Sequence, residues 1–116
     1  MQTIVRCAIG FITIATLATA SAQAGQMAPE AARAAREIYQ NNGCSSCHAS
    51  ADALVGPSLQ AIAQRYQGKQ VSPALAQRIR EGSTGRYGDL PHPPQALSPE
   101  DAERVARWIL AGAPGM

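Results

Sequence analysis

The pentapeptide CSSCH, residues 44–48, constrains this chain more than any other stretch. Two thiols three positions apart lie on one side of a helical turn, and the next residue is one of only 2 histidines in the chain. A Cys-x-x-Cys-His segment is the attachment site of a c-type haem. Cys44 and Cys47 can each form a thioether with a porphyrin vinyl group, and His48 is then carried under the iron as an axial ligand. Gly43, just before, lets the chain end one helix and begin this turn. Other readings are open to the same residues. A Cys44–Cys47 disulfide leaves His48 without a role. A thioredoxin-like redox pair expects a βαβ setting, and no strand pattern exists here. A zinc site from Cys44, Cys47, His48 and His92 has suitable ligand types, but adjacent Cys47 and His48 reach one tetrahedral ion awkwardly.

The rest of the composition favours haem. Of the 116 residues, the first 24 read as a cleaved signal peptide: Arg6, then the uncharged apolar run CAIGFITIATLATA (7–20), then SAQA with small residues at Ala22 and Ala24. The apolar run is too short to cross a bilayer, which needs roughly 20 residues, so a membrane anchor is the weaker reading. Cys7 leaves with this segment. Residues 25–116 form one small domain whose only aromatics are Tyr39, Tyr66, Tyr87 and Trp108. Domains this short bury a modest fraction of their surface, and large aromatics normally supply much of what is buried. A porphyrin is a flat apolar body around which thin helices can pack. Without Arg6, nine basic residues face 8 acidic ones, so no basic cluster exists to neutralise phosphates and nucleic acid is not an expected partner.

The pattern is helical throughout. PEAARAAREIYQNNG (29–43) has Pro29 at a helix start and Gly43 as a stop. PSLQAIAQRYQG (57–68) puts Leu59, Ile62, Ala63 and Tyr66 on one stripe. SPALAQRIREG (72–82) offers Ser72 as N-cap and Gly82 as stop, and SPEDAERVARWILAG (98–112) repeats the start with Ser98 and adds Asp101 as a capping-box partner. The buried stripe of this last helix is Ala102, Val105 and Ile109. Loops 49–57 and 83–97 connect the helices, and the second is long for so small a domain. It contains GDLPHPP (88–94), where Pro91, Pro93 and Pro94 hold His92 on a stiff extended segment.

These segments together resemble the short monohaem class I cytochromes c of bacterial periplasms. The resemblance rests on the helix leading into CSSCH, on VGPSL (55–59), on AQRIREGSTGRYGDLPHPPQALS (76–98) and on RWIL (107–110). It covers essentially all of residues 25–116. It implies an all-α fold, about four short helices wrapped around one covalently bound haem c, with the first and last helices crossing so that Tyr39 meets the Ala106–Leu110 region. It implies that the Pro57 carbonyl accepts a hydrogen bond from the His48 imidazole, fixing its tautomer. Arg78 and Tyr87 fall where such proteins hydrogen-bond a haem propionate, although Tyr87 replaces a tryptophan. The departure is at the second axial ligand: the family reads Pro-Met-Pro-Pro where this chain reads Pro-His-Pro-Pro. The resemblance therefore implies metal ligation by His48 and His92, a neutral imidazole being a good iron ligand. Met27 and Met116, near the chain ends, are poor substitutes.

The expected function is periplasmic single-electron transfer between periplasmic or membrane-bound redox proteins, by a monomer that is not an enzyme. The alternative is a haem-based ligand-binding or sensing protein, or a weak peroxidase, in which His92 dissociates to open the iron. A single lysine, Lys69, follows the apolar leader, and no charge block marks a particular partner.

Overall fold

A computed structural model describes residues 26–116, so the signal-peptide reading of residues 1–24, Cys7 included, lies outside the described residues. Within them the chain forms four α-helices and one turn of 3-10 helix, with no strand. Helix α1 spans Pro29–Asn41, the 3-10 turn Cys44–Ser46, α2 Leu59–Arg65, α3 Ser72–Glu81 and α4 Pro99–Leu110. No described helix is long and apolar enough to cross a membrane.

Local chemistry sets these boundaries. Ser98 caps α4 as expected, its hydroxyl accepting from the Asp101 amide at 3.0 Å. The Asp101 carboxylate does not complete a capping box; it pairs with Arg104 at 3.0 Å. Helix α2 is shorter than the expected 57–68, because Ser58 is its cap and takes the Ala61 amide at 3.1 Å. Ser72 is the first residue of α3 rather than its cap. The Val71 carbonyl accepts from Leu75 at 2.8 Å, and the Ser72 hydroxyl donates to Glu103 of α4 at 2.7 Å. A tertiary acceptor has won over the local one.

Small residues let the helices approach closely. Ala35 on α1 and Ala102 and Ala106 on α4 are fully buried, and Ala76 carries α3 onto α4. Helix α1 crosses α4, where the Tyr39 ring lies 5.3 Å from that of Trp108 and tilted by 54°. This is the contact that the resemblance implies. The offset, tilted geometry suits the quadrupoles of the two rings. The Trp108 indole N–H donates to the Pro114 carbonyl at 3.1 Å and Arg36 donates to Gly115, so the C-terminal tail is drawn back over the crossing. With α1 and α4 as a base and α2 and α3 as sides, the remaining face opens as a cleft.

Candidate cofactor site

The cleft has a volume of about 370 Å³, within the roughly 300–1,000 Å³ usual for small-molecule sites. All the residues singled out in the sequence line it: Cys44, Cys47, His48, Pro57, Arg78, Tyr87 and His92. Apolar side chains from α2, α3 and α4, among them Leu59, Ile62, Ile79 and Ile109, form its floor, and no carboxylate lines it among the described residues.

The near wall is the CSSCH turn. Cys47 and His48 both donate backbone amides to the Cys44 carbonyl, at 3.1 and 3.0 Å, which winds the segment tightly. Both cysteines are free and half-buried, and burial pushes the Cys44 thiol above its ordinary range. His48 Nδ1 lies 2.7 Å from the Pro57 carbonyl oxygen. A carbonyl can only accept, so Nδ1 carries the proton and Nε2 keeps its lone pair for a metal. That oxygen is free for His48 because Ser58 takes the Ala61 amide, the donor that would otherwise close the first turn of α2 on Pro57. Two further residues fix this histidine, and the sequence reading gave neither a role there. The Tyr39 hydroxyl donates to the His48 carbonyl. Gly56 lies against the imidazole so closely that a Cβ would sit 2.5 Å from His48 Cε1 and 2.9 Å from Nδ1.

The far wall is the 83–97 loop. His92 and Ser83 exchange backbone hydrogen bonds of 2.7 and 3.1 Å, and Gln95 donates to the Ile79 carbonyl at 3.0 Å. Gly82 makes this approach possible: its φ is 83°, and a Cβ there would lie 2.7 Å from the His92 carbonyl oxygen. Stiffness therefore comes from a two-bond bridge as well as from the prolines. The His92 ring is half-buried, and its buried Nδ1 has no hydrogen-bond partner. Burial holds its pKa below the ordinary 6.5 and His48 adds to that, while the Pro93 carbonyl opposes it. The ring is neutral at neutral pH.

The two imidazoles face one another with centroids 6.1 Å apart and planes 34° apart. A metal–imidazole bond of about 2.0 Å plus about 1.1 Å from nitrogen to ring centre, taken twice, gives about 6.2 Å. The observed separation matches that of two imidazoles sharing one metal ion. The unpartnered nitrogen and the cramped glycines fit a held ligand pair better than incidental surface histidines.

One corner of the cleft is cationic. Arg78 Nη1 donates to the Tyr66 hydroxyl at 3.2 Å. The Arg65 guanidinium carbon lies 4.6 Å from the Tyr87 ring centroid, and its Nη1 donates to the Arg86 carbonyl at 2.7 Å. Partial desolvation of its hydroxyl at this corner raises the Tyr87 pKa, with Tyr66 nearby adding to the shift, although the side chain as a whole is exposed. Tyr66, which the sequence places on one stripe with Leu59, Ile62 and Ala63, is only half-buried and turns its hydroxyl to this corner. Its stripe position predicts burial but not the polar end. Guanidinium and phenol donors without a lining carboxylate suit a carboxylate-bearing ligand.

Comparison with known proteins agrees with this geometry. The cytochrome c family profile matches residues 32–113, which include every site residue named above. Cytochrome c-551 of Pseudomonas aeruginosa is 40% identical over 75 residues, covering 64% of this chain and 72% of that protein. Cytochrome c2 of Rubrivivax gelatinosus is 42% identical over 78 residues, covering 64% of this chain and 92% of that one. The crystal structure of wild-type Nitrosomonas europaea cytochrome c552 superposes with a TM-score of 0.61 at 38% identity, over 65% of this chain and 95% of that one. The disulfide, thioredoxin and zinc readings of CSSCH give way to haem. This chain belongs to the cytochrome c family and is a monohaem electron carrier, not an enzyme, with one haem c bound covalently through Cys44 and Cys47.

Proposed function

We propose that this cytochrome carries single electrons in the periplasm with His48 and His92 as its two axial ligands. The observation that carries this reading is the pair of facing imidazoles, 6.1 Å apart, one anchored by Pro57 and the other by Ser83. When bound, the haem supplies a one-electron iron couple. The protein's part is to hold both ligands still in both oxidation states. The Pro57 carbonyl fixes the tautomer and orientation of the His48 ring, and the His92 loop would hold a neutral ring across the cleft from it. Arg78, Tyr66 and Tyr87 would hold the propionates, and the apolar floor would keep water away. Imidazole donates better than a thioether, and methionine–histidine ligation raises the potential of such haems. The potential here is accordingly lower than that of a methionine-ligated relative.

Residues 1–24 read as an export signal cleaved after Ala24, which supports a periplasmic carrier that exchanges electrons with periplasmic or membrane-bound redox proteins. Among the described residues no carboxylate lines the cleft as an acid–base partner to His92, so nothing there favours the sensing and peroxidase reading. Exposing the reduced protein to carbon monoxide tests the proposal. A closed bis-histidine carrier leaves its spectrum unchanged, whereas a prompt spectral shift would show an open or labile far face.

A further inference from the structure

Residues 84–91 cross the mouth of the cleft as a strap with almost no support of its own. Its ends are pinned by the Ser83–His92 bridge, the arrangement of an Ω-loop. Between them every residue is exposed, and none takes part in a backbone–backbone hydrogen bond. Gly85 and Gly88 within it have φ values of 68° and 102°. Such a segment belongs to the low-stability end of a fold. Yet Arg86, Tyr87, Leu90 and Pro91 of this strap line the cleft, and Pro91 leads directly into His92.

Among the described residues, one hydrogen bond reaches the strap's backbone from outside. Arg65, the last residue of α2, donates to the Arg86 carbonyl at 2.7 Å while its guanidinium lies 4.6 Å from the Tyr87 ring centroid. We propose that Arg65 is a positioning residue, a latch that holds the 84–91 strap closed over the cleft and thereby controls access to the His92 side of the iron. A planar guanidinium is needed, because one group must donate to a carbonyl and lie on a ring at once. An ammonium does either less well. With the latch undone, only its two ends and the Tyr66–Tyr87 contact keep the strap in place, and water or small ligands reach the far face more readily.

The consequence for ligand exchange rests on the His92 ligation proposed above; the consequence for the strap does not. The test uses the haem-loaded protein and its Arg65→Met and Arg65→Lys variants, in two measurements. The first is limited trypsin cleavage after Arg86, within the strap, with cleavage after the α1 arginines reporting global unfolding. The second is the rate at which the ferric protein takes up cyanide. Arg65→Met should speed cleavage after Arg86 about tenfold, equivalent to about 1.4 kcal/mol, without speeding cleavage in α1. Cyanide uptake should rise by a similar factor, and Arg65→Lys should fall between the parent and Arg65→Met in both. Unchanged cleavage after Arg86 in Arg65→Met would overturn the latch, whatever binds the iron. Faster cleavage together with cyanide uptake already rapid in the parent would support the latch while refuting His92 as the closing ligand.

Discussion

The Pro57 carbonyl oxygen can serve His48 only because a neighbouring hydroxyl serves the helix. Ser58→Ala removes the acceptor of the Ala61 amide, and that amide then competes for Pro57. The expected loss is about 1 kcal/mol for the cap, with a weakened His48–Pro57 bond besides. Chemical denaturation of the haem-loaded protein reads the first, and faster solvent exchange of the His48 ring N–H reads the second. A cap loss without any change at the ring would separate the two roles. At His92 the sign of the pH dependence follows from burial. Its pKa is depressed, so the neutral ring's contribution is present above pH 6.5 and is lost as pH falls through the lower folded value. Proton competition with iron acts in the same direction. An acid titration followed by the spin state should therefore convert the protein to a high-spin form that His92→Met does not share at the same pH, since a thioether takes up no proton.

Helix α1 does more than pack. Tyr39 fills the crossing with α4 through its ring and holds the His48 backbone through its hydroxyl, so one residue joins the scaffold to the site. Tyr39→Phe keeps the ring packing and leaves the His48 carbonyl without that donor, at a cost of about 1–3 kcal/mol. Thermal unfolding of the haem-loaded variant checks this, and an unchanged midpoint would mean that water replaces the hydroxyl without loss. At this scale much was legible beforehand. Proline starts, glycine stops and the apolar stripes place all four helices, and CSSCH with PHPP marks both walls of the cleft. What was not legible depends on partners far apart in sequence. Ser72 looks like a cap but bonds Glu103, 31 residues away. Arg65 carries no local signal, because its partners lie in a loop about 20 residues on. Gly56 stands in plain view within VGPSL, yet its reason is the His48 ring that packs against it.

The molecule as a whole has a thin protein core. Its largest fully buried side chains are Trp108, Tyr39 and Leu59, and the α2–α3 side of the fold faces the cleft rather than another layer of protein. Replacing both Cys44 and Cys47 by alanine should abolish covalent attachment and most of the helix content at 37 °C, because binding free energy here is also folding free energy. Circular dichroism reads this, and full helicity without haem would show that the polypeptide stands alone. The segregation of tasks is simple at this scale. The crossing of α1 and α4 gives a rigid base, the CSSCH turn supplies a covalent anchor, and a bridged proline loop sets a second imidazole 6.1 Å from the first. The claim on which the account turns is that iron lies between His48 and His92, and the absorption spectrum of the purified ferric protein at neutral pH tests it most directly. The spectrum should be low-spin and lack the weak long-wavelength sulfur-to-iron band of methionine-ligated haems, with His92→Met restoring that band and raising the potential by on the order of 0.1 V. A high-spin spectrum, or the sulfur band in the unmodified protein, would contradict it.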